Sequence, residues 1–324
     1  MEAAATRQVR WGILGAASIA RGQFMPGLRE AGDGRAALVA SRDRARGETF
    51  AAREGVDGVS AGYRELLESG EVDAVYIALP NSHHAEWTIA ALDAGLAVLC
   101  EKPLTASVAD TDRVLAAARG RHLWEAFVFP FQAQHRRIVE LIAAGAVGAP
   151  VEIDSAFHFR LGREQDIRLS AELGGGALAD VGCYPIRLGH ELLGPADGPV
   201  GVDAVWGREV EVDAAGFVSH GDRRLTLTCG LQRAYDTFTR VLGDAGRLHV
   251  ANPFHPGVGD ALEIHRPGAE VVVEHPTTDE RSFTAALRHI HAVVRGEEEP
   301  RHLAVDSAAA TARTLAALQA AARR

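Results

Sequence analysis

What this sequence lacks narrows its possibilities first. Three cysteines in 324 residues, Cys100, Cys183 and Cys229, are odd in number and scattered. They supply neither a disulfide framework nor a closely spaced metal-ligand pair, and this usage predicts a reducing, cytoplasmic setting. Excess positive charge is missing too. A formal net charge of -9 works against a polyanion partner, because nucleic-acid binding draws on a clustered basic surface. A small molecule is the expected ligand. No run approaches the roughly eighteen apolar residues of a membrane span, and residues 1–10 hold no apolar stretch of the signal-peptide kind. Neither a membrane span nor export is expected. Lysine is scarce: nearly every cationic position is arginine, and the exception, Lys102, suggests a need for a compact ammonium.

What is present points to two domains, since 47% hydrophobic residues over this length can fill two cores. Residues 9–14 form an apolar run ending at Gly15, a helix follows from near Ser18, and 36–40 is a second buried run. The alternation continues through helices near 43–53 and 63–69, a strand at 74–79, a helix at 84–94, a strand at 97–100, a helix at 107–119 and a strand at 122–127. This rhythm predicts an α/β fold, a Rossmann doubly wound parallel sheet over residues 1–121. From Val151 strand-like runs follow one another at 151–159, 202–206, 225–231, 237–242 and 247–250. They predict an α+β domain over 122–324 with an open-faced, largely antiparallel sheet, and helices, one starting after Gly174-Gly175-Gly176 and running to about Leu193, the others at 282–295 and at 306–322.

The segment Gly15-Ala16-Ala17-Ser18-Ile19-Ala20 lies at the first strand-to-helix turn, where the fingerprint G-x-G-x-x-G/A belongs and backbone N–H groups can receive a pyrophosphate. Ala17 replaces the second glycine. Position and strand alternation, more than the motif, predict a dinucleotide site over a plain tight turn. Ser41 and Arg42 end the second strand, where an NAD-selective site places an acid. An arginine suits a 2′-phosphate, so NADP(H) is the expected cofactor, with Asp43 the competing acid if the turn is displaced.

Glu101-Lys102-Pro103 closes the fifth strand beside the expected nicotinamide half. A lysine there can hold the ribose, polarise a carbonyl or acidify a neighbouring group; an exposed loop lysine is the plain alternative. After Gly174-Gly175-Gly176, Asp180 and Tyr184 are spaced i, i+4, so one helical face can present both. The phenol can exchange a proton with a sugar oxygen, against the alternatives of a capping carboxylate and a seam tyrosine. Arg160, Arg163 and Arg168 suit a diphosphate or a solvated edge equally. His83 with His84, and His289 with His291, diverge on regular elements, so no metal site is expected.

Trp11-Gly12-Ile13-Leu14-Gly15-Ala16-Ala17, Leu79-Pro80-Asn81 with His84, Glu101-Lys102-Pro103 and Asp180-x-Gly-x-Tyr184 resemble the Gfo/Idh/MocA oxidoreductase family in order and spacing. Tyr184, where many relatives carry histidine, is similar to the branch containing sugar 3-ketoreductases. Glu125-Ala126-Phe127, Gln134-His135-Arg136, Asp166-Ile167-Arg168, Tyr184-Pro185-Ile186-Arg187 and Asn252-Pro253-Phe254 resemble the nucleotide-sugar 3-ketoreductases of deoxysugar biosynthesis.

The resemblance implies NADPH-dependent reduction of a keto group, expected at C3, on a nucleotide-linked deoxysugar. It implies Lys102 and Tyr184 as catalytic residues and Asp180, Arg168, Gln134, His135 and Tyr235 at the substrate. At the cofactor it implies Gly15, Ala16, Ala17, Ser18, Ile19, Ser41, Arg42, Leu79, Pro80, Asn81, His84, Glu101, Lys102 and Arg168. It further implies a homo-oligomer, dimer or tetramer, formed through the open sheet. The alternatives are an NADP-dependent dehydrogenase of a free sugar, cyclitol or diol, and a cofactor-binding sensor without turnover, which intact Lys102 and Tyr184 argue against.

Overall fold

Runs of apolar residues unbroken by alternation belong in strands buried on both faces, and such runs form the centre of a six-stranded sheet here. In the computed structural model, which describes residues 7–163 and 165–322, its strands are β1 (Val9–Leu14), β2 (Gly34–Ala40), β3 (Gly58–Val59), β4 (Ala74–Ile77), β5 (Ala97–Cys100) and β6 (Leu123–Glu125). Every residue of β4 and β5 is buried. The sheet is parallel in the order β3-β2-β1-β4-β5-β6, with α1 (Met25–Ala31), α2 (Arg44–Glu54), α3 (Tyr63–Glu68), α4 (His84–Asp93) and α5 (Val108–Ala117) as crossovers. A π turn, Ala20–Phe24, precedes α1. The order reverses between β1 and β4, so their carboxyl ends border the crevice where doubly wound sheets bind ligands.

The second sheet has eight strands in the order β14-β13-β12-β11-β7-β10-β9-β8. They are β7 (Pro150–Arg160), β8 (Val200–Trp206), β9 (Glu211–His220), β10 (Arg223–Gly230), β11 (Gln232–Gly243), β12 (Arg247–Ala251), β13 (Leu262–His265) and β14 (Val272–Glu274). Among the described residues β7 and β10 alone pair in parallel, and the other neighbours are antiparallel. Helix α6 (Ala133–Ala143) precedes the sheet, and α7 (Cys183–Leu193) and α9 (Ala308–Ala322) cover one face. Glycines let α7 lie close: a Cβ at Gly189 would fall 2.9 Å from Leu225, and one at Gly182 3.1 Å from the Cys229 sulfur. The opposite face carries cross-strand pairs such as Arg240 with Asp154 at 3.1 Å and Arg224 over Phe217.

Contacts divide the chain differently from a single cut at 121/122. One unit runs from β1 to Thr105 and adds Ala109–Val128 and Glu280–Asp306; the other comprises Ala106–Val108, Phe129–Asp279 and the chain from Ser307 through α9. Helix α8 (Ser282–Val294) therefore packs with the first sheet. Two details hold it there. Gly27 clears room for Phe283, whose Cβ would lie 2.7 Å from a side chain at that position. The buried Trp11 indole donates to His291 Nε2 at 2.8 Å, while His291 Nδ1 meets Asp33 at 2.5 Å. An indole donor at Nε2 places the imidazole proton on Nδ1, so the ring is neutral, in keeping with the lowering of its pKa by burial.

Candidate active site

In the first unit the site begins where β1 stops. Gly15 turns the chain at φ +104°, and its N–H donates to the Ala40 carbonyl at 2.9 Å. A Cβ here would fall 2.6 Å from the Ala78 carbonyl oxygen and 3.1 Å from Leu79 Cδ2. Only glycine lets this turn lie against the loop after β4. Ala16, Ala17 and Ile19 are partly exposed and Ser18 is exposed, at the opening turn of a helix, where free N–H groups favour an anion. Ser41 is half-buried and Arg42 exposed beyond β2.

Asp43, the competing acid, is engaged otherwise: its carboxylate caps α2 by accepting the Arg46 N–H at 3.2 Å. Arg46, which no sequence motif marks, donates through Nη2 to the Ala16 carbonyl at 3.4 Å. A cradle without a Cβ, a helix entry and two guanidinium groups fit a phosphorylated dinucleotide.

The loops after β4 and β5 are held from within. Leu79 is buried, Pro80 and Asn81 are partly exposed, and Asn81–His83 form a single 3-10 turn leading into α4. His84, expected at the cofactor, is fully buried, with Nδ1 2.9 Å from the Pro103 carbonyl and Nε2 2.9 Å from the Leu79 carbonyl. Burial pushes its pKa down and the Lys102 charge pushes the same way. The ring thus ties two loops together.

Glu101 is held in a similar way. Its buried carboxylate accepts from the Tyr76 hydroxyl at 2.5 Å and from the Lys102 N–H at 3.3 Å. Glu125 accepts the Leu104 N–H at 2.7 Å. Two interior carboxylates therefore fix the backbone on either side of Lys102, whose side chain is half-exposed, and of the cis bond to Pro103.

In the second unit, a π turn, Leu178–Gly182, leads into α7 and carries Asp180, while Tyr184 follows in the first α turn. Arg168 Nε donates to Asp180 at 2.7 Å, and Asp166 accepts from the Arg168 N–H at 3.0 Å and from its Nη1 at 3.2 Å. Burial works against the Arg168 charge, but Asp180 and Asp166 outweigh it and raise its pKa. Asp180 is thereby a charge-balanced acceptor.

Aromatic rings wall in the Tyr184 ring: Phe157 and Phe254 at 5.2 Å, His255 at 5.7 Å and Phe129 at 6.4 Å between centroids. Tyr235 is 60% exposed, its hydroxyl donating to Asn252 Oδ1 at 2.9 Å, so a fixed ring faces outward. Arg160 and Arg163 are exposed.

Gln134 and His135, expected at the substrate, lie inside. Gln134 donates to the Ala251 carbonyl at 3.1 Å and His135 meets Glu191 at 2.8 Å, which anchors α6 to β12 and α7. Neither has more than 3% of its surface exposed. The aromatic wall has no signature of its own in the sequence, although Asn252-Pro253-Phe254 marks one part of it.

A family model described as "Oxidoreductase family, NAD-binding Rossmann fold" matches residues 9–127. The chain belongs to the Gfo/Idh/MocA oxidoreductase family. The Gfo/Idh/MocA C-terminal domain matches residues 135–249, which contain Asp180 and Tyr184. Among relatives, dTDP-3,4-didehydro-2,6-dideoxy-alpha-D-glucose 3-reductase of Saccharopolyspora spinosa is 36% identical over 88% of this chain and 89% of its own. D-xylose 1-dehydrogenase (NADP(+)) 2 of Haloferax volcanii is 35% identical over 90% of both chains. Among solved structures, the 3-ketoreductase KijD10 of Actinomadura kijaniata, in complex with NADP and TDP-benzene, superposes with a TM-score of 0.88 at 32% identity, covering 97% of this chain and 98% of its own.

Proposed function

We propose that this Gfo/Idh/MocA protein is an NADPH-dependent ketoreductase acting on a keto group, at C3, of a nucleotide-linked deoxysugar during deoxysugar biosynthesis. The observation that carries the reading is the Tyr184 phenol set in an aromatic wall, four residues from an ion-paired Asp180. NADPH supplies the hydride. Tyr184 gives a proton to the carbonyl oxygen, Asp180 accepts a hydrogen bond from a sugar hydroxyl, and the Lys102 ammonium orients the ribose and polarises the carbonyl. Ser41 and Arg42, with Arg46 beside them, hold the 2′-phosphate, and Arg168 with Tyr235 borders the substrate. The reductases and the TDP-benzene complex among the relatives support this substrate class. Buried thiols outside any disulfide support a cytoplasmic setting, and among the described residues no helix is long and apolar enough to cross a membrane. The open face of the eight-stranded sheet is the contact we assign to a homo-oligomer.

A second reading rests on the Haloferax volcanii relative: oxidation of a free sugar by NADP, with Tyr184 as base. One experiment separates the two. NADPH and NADH consumption with nucleotide-linked 3-keto sugars is set against NADP reduction with free aldoses, for the unaltered chain and Tyr184→Phe. The expected result is ketone reduction that prefers NADPH, with kcat about 100-fold lower in the variant, the scale of a lost general acid. Faster turnover of free aldoses would install the second reading, and full activity of Tyr184→Phe would remove the phenol from proton transfer.

A further inference from the structure

The helix that presents Asp180 and Tyr184 does not begin as an α-helix. In an α-helix, positions four apart are offset by about 40° around the axis, four steps at 3.6 residues per turn. The wider π turn at Leu178–Gly182 takes up much of that offset and brings the two side chains towards one line. Such turns are rare, and this one is held from the sheet below.

Glu211, on β9 and only 5% exposed, accepts the Leu178 N–H at 3.1 Å through Oε1. Above it Gly176 sits at φ +115°, and a Cβ there would fall 2.4 Å from Glu211 Oε1 and 2.9 Å from its Cδ. The same hairpin end grips the segment a second time: Glu209 Oε2 accepts the Ala171 N–H at 3.0 Å, and Gly207 N–H to Val210 carbonyl, at 2.8 Å, fixes the turn between the strands. A buried carboxylate is costly unless its bonds offset desolvation, and this one is aimed at the first turn of the helix that bears the reacting groups.

We propose that Glu211 is a positioning residue that fixes the π turn and, through it, the placement of Asp180 and Tyr184. The inference rests on the reading of Tyr184 as proton donor, and its test has an arm independent of turnover. The chain has four tyrosines, so a ring-labelled ¹³C-tyrosine spectrum is simple, and Tyr184→Phe assigns the resonance in question.

Glu211→Ala shifts or broadens the Tyr184 resonance and leaves Tyr63, in the other unit, unchanged. It lowers kcat by about 10- to 100-fold, the scale of a misplaced catalytic group, and raises substrate KM because Asp180 moves with the turn, while NADPH affinity stays nearly constant. Glu211→Gln keeps an acceptor oxygen and restores both the resonance and most of kcat. Gly176→Ala reproduces Glu211→Ala, and the double variant is no worse than either single one. An unmoved Tyr184 resonance in Glu211→Ala, or equal losses in the Gln and Ala variants, overturns the proposal. Should Glu211→Ala not fold, the Gln variant and Gly176→Ala decide it by the same resonance. Absence of ketone turnover in the unaltered enzyme would count against the functional reading alone, because the tyrosine spectrum still tests the role of Glu211.

Discussion

A single methyl group at Gly15 should damage both the first unit and its cofactor site, and the size of the damage follows from the geometry. At φ +104° an L side chain is strained, at a cost of about 1–3 kcal/mol. The added Cβ of Gly15→Ala would also meet the Ala78 carbonyl oxygen at 2.6 Å, and a backbone atom cannot swing aside as a side chain does. Forcing the β1 turn away from the β4 loop adds an overpacking cost of roughly 1–3 kcal/mol. Together these reach about 2–6 kcal/mol, a large share of the ~5–15 kcal/mol that holds a domain folded. Since about 1 kcal/mol shifts the midpoint by roughly 2–4 °C at this size, thermal unfolding should fall by about 5–20 °C.

The two displaced segments border the crevice of the sheet, so NADPH affinity should drop at least about tenfold, equivalent to ~1.4 kcal/mol. Thermal melts with and without NADPH, and a nicotinamide fluorescence titration, read both effects. Ala17→Gly is the control, for it removes a methyl and introduces no clash. A Gly15→Ala protein that melts within about 1 °C of the original and binds NADPH equally well would refute this account of the turn, because strain alone exceeds that margin.

Acid should loosen the second unit through His190, which burial, with the His220 ring 5.4 Å away, pushes down to about 4. The folded value lies below the ordinary 6.5, so the unfolded chain takes the proton first. The stabilisation is complete above that pH, is lost as pH falls towards 4, and amounts to at most ~3 kcal/mol. Urea denaturation of His190→Gln should show a flatter acid limb between these values, and identical pH profiles would dismiss the group. On the open sheet face, Phe238→Glu should turn an oligomer into monomers in analytical ultracentrifugation, and an unchanged sedimentation coefficient would move the interface elsewhere.

The parallel sheet was legible because its central strands are buried on both faces and read as apolar runs, Ala74–Ile77 and Ala97–Cys100 among them. β9 was illegible for the opposite reason. It offers Ala214 and Gly216 to the helices above, and such small residues leave no hydrophobic alternation to detect. The amphipathic α8 was predicted as a helix, but an apolar face says only that something covers it. That the cover is the first sheet depends on the gap at Gly27 and on the Trp11 indole, which are facts of three dimensions.

The site divides along a similar line. Motifs single out polar residues without saying whether a side chain meets the ligand or the backbone that carries it. The proposed function places Gly15, Lys102, Asp180 and Tyr184 at the ligands. His84, Glu101, Gln134 and His135 were grouped with them, yet each is tied to the chain itself, Gln134 through its Nε2 alone. A buried polar group must find partners, and the nearest strong partners in a loop are its own N–H and carbonyl groups. Arg46 and Glu211 show the converse: charges at positions with no motif, whose importance lies in where the side chain ends. Residue type and motif alone therefore do not decide whether a polar residue near this candidate site acts on a ligand or holds in place the residue that does.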